Sequence, residues 1–229
     1  MDTQLNSTAL LLFVRNEQEE ARCKPLAGSR KASAALFRRF NSHMLQQVRR
    51  TGLPLFIIQG DQQIGTTFGE RLANAYQSVF DLGYERVIAI GNDCLELNTH
   101  LLLEAANQLE RHPMVLGPTD DGGAYLIGFQ RVAFQIETFV KLPWQTDTVY
   151  EALLTSAEGT IAVLDPSFDI DQHQTLRRQL WRLPVVLRRL ISRLLGPAGT
   201  ALFKENSSLP SIPLQLPVGL RAPPVLTFQ

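Results

Sequence analysis

Residues 86–128, RVIAIGNDCLELNTHLLLEAANQLERHPMVLGPTDDGGAYLIG, decide the fold of this chain. The segment opens on an apolar run from Arg86 to Ile90, which stops at Gly91 with Asp93 close behind. A helical stretch follows. A second apolar run, Met114 to Leu116, then ends in GPTDDGG, where Asp120 and Asp121 stand beside Gly122 and Gly123. Short, continuous apolar runs are the mark of strands covered on both faces. Two such strands, each ending on an acid-bearing glycine turn, predict a site at the carboxyl edge of a parallel sheet, where open α/β sheets take their ligands.

The flanking sequence repeats the pattern. Upstream, residues 8–14 and 53–58 read as strands, and Pro54 sits at a strand start, where a missing amide is tolerated. Residues 31–50 and 69–81 carry apolar side chains at three- and four-residue steps and read as helices. Residues 15–30, polar and irregular, read as a loop. Within the central segment, Asn98 or Thr99 caps the helix that runs to about residue 110. Downstream come a strand at 125–129, a short helix within 131–140, a helix near 149–154, a late strand at 160–164 and a helix at 172–183. Alternating strands and helices predict an α/β protein with a Rossmann-like, mostly parallel sheet and helices on both faces.

The sequence divides into one domain, residues 1–183, and a tail, 184–229. Residues 184–195 form a basic amphipathic stretch, with Arg188, Arg189 and Arg193 set against Leu187, Ile191 and Leu194. Its three fates are packing on the domain, homodimerisation or contact with an acidic membrane surface. The remainder is rich in Pro, Leu and Ser, without a clear period, and is expected to be poorly ordered or laid on the body as an arm.

Twenty-two basic residues balance 22 acidic ones, so charge gives no reason to expect nucleic acid or a membrane as partner. No apolar stretch reaches the ~20 residues of a membrane span, and TALLLFV reads as a buried strand rather than an export signal. Cys23 and Cys94 make neither a disulfide framework nor a zinc site, which favours a cytoplasmic protein. The four histidines lack metal-ligand spacing.

The acids carry the chemistry. A hard divalent cation takes one or two protein carboxylates plus substrate phosphates. Asp93 follows a strand directly, and Asp169 and Asp171 flank Ile170, a spacing that points both to one side of an extended backbone. If folding gathers them, they hold one cation, and the cation helps a diphosphate to leave. Each also has a structural reading: Asp93 as a turn or cap, Asp171 as a helix N-cap, GPTDDGG as a hairpin turn. Arg71 either reaches a phosphate or, with Glu70, solvates its helix. Trp144 either stacks on a base or sugar or plugs the core. Cys94 is a small buried thiol.

Five stretches, QIGTTFGERLANAY, VIAIGNDCLEL, VLGPTDDGGAYLIGF, LPWQTDTVYEALL and FDIDQHQTL, resemble in that order a bacterial family of GT-A-like nucleotide-diphospho-sugar transferases of unknown function, of the type associated with radical-SAM enzymes and selenodomains. Guanylyltransferases for molybdenum cofactor and for phospholactate are more distant relatives. The likeness spans about residues 9–183. It implies the GT-A fold, a nucleotide or nucleotide-sugar ligand and Mg²⁺ or Mn²⁺ as cofactor. Asp93 would be the catalytic metal ligand, with Asp169 or Asp171 as the second contact. Gly69, Arg71 and Asn92 would meet the nucleotide, and Arg15 and Lys24 would add positive charge there, though not at the family's spacing. Asp121 would position the acceptor, and Gly122, Gly123, Trp144 and Asp147 would line its side of the pocket.

The chain departs from the family at three places: Leu95-Glu96 follow GNDC where Pro-Asp is usual, Ala124 stands where Tyr is common, and the segment after the first strand differs most. The relatives carry a basic stretch ending in Lys-Thr-Arg-Leu after the first strand, and here NEQEEARCKPL stands there, with Cys23, Lys24 and Pro25 in place of Lys, Thr and Arg. Glu17, Glu19 and Glu20 oppose a phosphate unless a metal or Arg15, Arg22, Lys24 and Arg30 offset them. The expected activity is nucleotidyl or glycosyl transfer. The alternative is a catalytically impaired family member that acts as a binding or scaffold protein.

Overall fold

The computed structural model describes residues 7–170, 176, 180–183 and 185–195. The core is a six-stranded sheet in the order β2-β1-β3-β5-β4-β6. Its strands are β1 (Thr8–Val14), β2 (Leu55–Gln59), β3 (Arg86–Ile90), β4 (Met114–Pro118), β5 (Ala124–Gln130) and β6 (Ala162–Val163). β5 pairs antiparallel with both β3 and β4, while the other pairings are parallel, so β5 alone is reversed. GPTDDGG is thus a hairpin turn between β4 and β5 as well as the end of a strand. The mostly parallel α/β sheet read from the sequence is the sheet observed.

β1 shows why a continuous apolar run is needed at the centre. Ala9 and Leu11 face one layer, formed by Leu72, Ala73 and Tyr76 of α3 (Phe68–Asp81), Phe139 of α5 (Ile136–Phe139), and Val149 and Leu153 of α6 (Val149–Ser156). Leu10, Leu12 and Val14 face the other, formed by Met44 and Val48 of α2 (Arg30–Thr51) and Leu102, Ala105 and Leu109 of α4 (Thr99–Arg111). Both faces are covered, as parallel sheets require.

Helix ends follow their capping residues. Thr67 and Glu70 form a reciprocal capping box at the start of α3. The Asn98 side chain accepts from the amides of His100 and Leu101 at the start of α4. Residues 15–30 are not the uninterrupted loop expected. Asn16 accepts from the Glu19 amide and caps α1 (Glu17–Cys23), and three acids in its first turn complement the helix dipole. Only Glu20 and Ala21 of α1 are buried, too few to leave an apolar period in the sequence. The late strand is shorter than expected, Ala162–Val163. Leu180–Arg182 forms a 3-10 turn, and most of the expected helix at 172–183 lies outside the described residues.

A third apolar cluster joins Leu36, Phe37 and Phe40 of α2 to Phe168, Leu180 and Leu183, and to Leu187 and Ile191 of α7 (Val185–Leu195). α7 therefore packs its apolar side chains onto α2. Glu96 fastens the same region: it accepts from Arg182 Nε and NH2 at 2.7 and 2.8 Å and from Ser167 Oγ at 2.9 Å. The Arg182 guanidinium lies over the Phe168 ring at 4.7 Å. Among the described residues, no helix is long and apolar enough to cross a membrane.

Candidate active site

A cavity of about 600 Å³ opens at the carboxyl edge of the sheet. Its lining comes from the end of β1 with Arg15, from Glu20 and Lys24 at α1, and from Phe68 and Arg71 in the first turn of α3. Asn92 and Asp93 after β3, Asp121 and Gly123 in the β4–β5 turn, the loop from Trp144 to Asp147, and Asp169 complete it. Arg15, Lys24, Arg71, Asn92, Asp93, Asp121, Gly123, Trp144, Asp147 and Asp169 were all expected around a ligand, and all line this one cavity. Asp171 lies outside the described residues. Arg22 and Arg30 are exposed and do not line it.

Gly69 and Gly122 do not line the cavity; they let its walls approach each other. A Cβ on Gly69 would stand 2.5 Å from Trp144 Cδ1 and 2.9 Å from the Val140 carbonyl oxygen. Gly122 has φ +86°, and a Cβ there would fall 1.9 Å from the Asp147 carbonyl oxygen. The Tyr150 amide donates to Gly122 O at 3.0 Å, so the two loops interlock through main chain. The glycine expected against the nucleotide thus acts through the indole it admits.

One end of the cavity is a charge cluster. Lys24 Nζ donates to Asp93 Oδ2 at 2.8 Å and stands 3.6 Å from Glu20 Oε1, while Arg15 NH1 lies 3.8 Å from Glu20 Oε2. Burial pushes the Asp93 carboxyl up, but the Lys24 charge and hydrogen bond, with Arg15 behind them, outweigh it and hold the group below its usual range. At Glu20 burial wins over Lys24 and Arg15, and its carboxyl lies above its ordinary value. Asp169 arrives by backbone pairing. Ser167 bridges to Thr119 beside the end of β4, and the Ile170 amide donates to Asp93 O at 3.1 Å. Asn92 is buried and donates to Asn41 Oδ1 at 2.6 Å, tying the turn to α2.

The other end is built from the hairpin and the PWQTDT loop. Asp121 Oδ1 accepts from Thr119 Oγ1 at 2.5 Å and from the Gly123 amide at 3.2 Å. Trp144 is half-buried; its Nε1 donates to Phe139 O at 2.8 Å, and its ring packs on Phe139 and Phe68. It is both a core plug and a cavity wall. Glu70 serves its helix, accepting from the Thr66 and Thr67 amides, whereas Arg71 donates to Thr66 O at 3.0 Å from the cavity lining.

Several lining residues escaped the sequence reading. Glu20, which in the sequence only opposes phosphate, is in the fold the buried partner of Arg15 and Lys24. Gln63 reaches the cavity from the loop after β2 and donates to Val14 O at 2.8 Å. Gln145 adopts φ 64°, uncommon for a residue with a side chain, and lines the cavity beside Trp144. Phe13 also lines the cavity: β1 leaves it half-buried, and it packs edge-on against Phe68 at 5.8 Å.

The donor set suits a hard divalent cation in kind: two carboxylates, Asp93 and Asp169, at one end of a cavity large enough to bring phosphate oxygens. Among the described residues, no group of three or more His, Cys, Asp or Glu side chains could hold a metal unaided.

Comparison with known proteins agrees with this architecture. A crystal structure of a candidate nucleotide-diphospho-sugar transferase from Desulfovibrio desulfuricans G20 matches with 26% identity and a TM-score of 0.69, over 82% of this chain and 96% of that one. Weaker matches are a protein from Mycobacterium tuberculosis H37Rv (14% identity, TM-score 0.47, 75% and 96% covered) and a CMP:2-keto-3-deoxy-manno-octonic acid synthetase solved with CTP (11%, 0.41, 81% and 98%). No curated protein matches the sequence. The model of a bacterial family described as uncharacterised conserved proteins, DUF2064, matches residues 26–146, and this chain belongs to that family.

Proposed function

We propose that this protein is a transferase that binds a nucleotide or nucleotide-diphospho-sugar in the carboxyl-edge cavity and moves a nucleotidyl or glycosyl group to an acceptor. The observation that carries the reading is the convergence of acids and cations from three strand ends, two helices and two loops into one cavity. The relative from Desulfovibrio desulfuricans G20 supports the same class. Arg15, Lys24 and Arg71 contact the phosphates, and Asn92 holds the β3 turn in place. Asp121, with Gly122, Gly123, Trp144 and Asp147 around it, orients the acceptor.

The charge balance supports a divalent cofactor. The cavity is lined by three cations (Arg15, Lys24, Arg71) and five carboxylates (Glu20, Asp93, Asp121, Asp147, Asp169), a formal charge of minus two if all are ionised. A diphosphate entering alone meets net repulsion. Asp93 and Asp169 are the residues that would hold Mg²⁺ or Mn²⁺. When bound, the ion neutralises the diphosphate and stabilises it as a leaving group.

Calorimetry with Mg²⁺ or Mn²⁺ and a panel of nucleoside di- and triphosphates tests the reading. Binding of at least one nucleotide, weakened by Asp93→Asn at unchanged stability, is expected. A folded protein that binds none of them rejects it. A second reading, a binding protein without catalysis, is favoured by the Lys24–Asp93 ion pair, which occupies the carboxylate that the reaction needs. Product formation that Asp93→Asn abolishes would remove that alternative.

A further inference from the structure

We infer that Lys24 keeps divalent metal off Asp93 in the free protein, so that metal enters this site only together with an anionic diphosphate ligand. The inference rests on the nucleotide reading above for its second half, and on the geometry of Lys24 alone for its first.

The Lys24 ammonium lies 2.8 Å from Asp93 Oδ2, on the carboxylate that would hold a metal. Ammonium and a dication on one carboxylate repel each other strongly in a cavity partly closed to water. Lys24 has somewhere else to go: Glu20 Oε1 is 3.6 Å from Nζ in the same cluster. Glu20 lies one helical turn before Lys24, and Arg15 anchors it from the end of β1. Among the described residues, the lysine thus lies between two carboxylates, Glu20 one turn earlier and Asp93 at the metal position. A diphosphate changes the balance twice. It offers the ammonium a new anion, and it supplies the oxygens that Asp93 and Asp169 lack for coordination. NEQEEARCKPL accordingly has a use of its own: it replaces a permanently basic loop with a cation that starts on the metal ligand.

The test reads metal directly. Mn²⁺ is titrated into the full-length protein without nucleotide, and the electron-spin-resonance signal of free Mn²⁺ reports the fraction bound. Wild type and Lys24→Arg, which keeps the charge, are expected to bind only weakly. Lys24→Met and Lys24→Gln are expected to bind at least about tenfold more tightly, and adding Asp93→Asn to either should abolish the gain. The glutamine variant retains a donor toward Asp93 and serves if the methionine variant does not fold. In a second arm, UDP, GDP, CDP and ADP are added in turn, and wild type is expected to take up Mn²⁺ with at least one. Equal Mn²⁺ affinity in wild type and the neutral variants overturns the inference, as does a gain that survives Asp93→Asn. If the neutral variants gain Mn²⁺ but no nucleotide recruits it to any form, exclusion by Lys24 stands and the nucleotide reading falls.

Discussion

Gly69→Ala tests how the cavity wall is built. Gly69 is the second residue of α3, a position where alanine is the better helix former by up to about 1 kcal/mol. Helix propensity alone therefore predicts a more stable protein. The packing predicts the opposite. A Cβ there would lie 2.5 Å from Trp144 Cδ1, 2.7 Å from Trp144 Nε1 and 2.9 Å from Val140 O. The carbonyl belongs to main chain and cannot swing aside, so α3 and the PWQTDT loop have to separate. Overpacking of this kind costs about 1–3 kcal/mol. Loss of the Trp144 Nε1 bond to Phe139 O adds about 1 kcal/mol. The net expectation is a loss of roughly 1–3 kcal/mol, a fall of several degrees in Tm for a chain of this length. Urea denaturation measures the first quantity. Indole emission measures the second: in a Trp181→Phe background, which removes the exposed tryptophan, Trp144 is the only reporter and should shift to the red. A Gly69→Ala protein with unchanged or raised stability and unchanged emission would refute the close approach of indole and helix.

Other perturbations separate the remaining parts. Gly122→Ala forces a side chain onto φ +86° and into Asp147 O, and should cost about 3 kcal/mol or more; a near-native urea midpoint would contradict the interlocked loops. Glu96→Ala removes the bidentate partner of Arg182 and the acceptor of Ser167, an expected loss of about 1–2 kcal/mol given that Arg182 is partly exposed. No change in midpoint would mean that the fork does not hold this region. Glu20 has its folded pKa raised, so the folded state retains a proton that the unfolded state has released. Stability is then greatest below the ordinary glutamate value of 4.5 and declines as pH rises from there through the raised value. Glu20→Gln should flatten that part of the stability–pH profile, and an identical slope in wild type and variant would show that Glu20 does not titrate in that way.

Much of the fold was legible because its centre is simple. TALLLFV and RVIAI are apolar on both faces, and the turns after β3 and β4 carry glycine and acid where a strand ends over a ligand site. The reversed direction of β5 was harder to see: GPTDDGG has the residues of a hairpin and of a strand-end turn alike, and only pairing with β3 shows that it is both. α1 was missed because its evidence is a cap and a dipole rather than an apolar stripe. The site was legible as a set of acids but not as a set of partners. Charge repulsion from Glu20 was read from sequence proximity, whereas the folded chain turns Glu20 toward Arg15 and Lys24. Gly69 and Gly122 were placed against ligand because a motif does not distinguish a glycine that touches substrate from one that lets two walls meet.

The reversed strand also explains why the cavity has two ends. With β5 between them, β3 and β4 are next-but-one neighbours, so their carboxyl ends stand roughly 10 Å apart. Asp93 and Asp121 therefore occupy opposite sides of one opening. Residues 164–170 cross the gap, paired to β4 through Leu164 and Ser167 and to the β3 turn through Ile170, and deliver Asp169 to the Asp93 side. Asp147 is delivered to the Asp121 side by the interlock with Gly122. The Asp93 end is held by ion pairs that a ligand can exchange for its own. The Asp121 end is held by main-chain contacts and a short carboxylate turn that no ion replaces. In the transferase reading this asymmetry assigns phosphate and metal to the first end and acceptor to the second. It requires that Lys24 and Asp93 variants alter nucleotide and metal affinity, while Asp121→Asn leaves that affinity unchanged and slows transfer. Equal loss of nucleotide affinity from both ends would mean that a single ligand group spans the opening, and the division of labour would have to be abandoned.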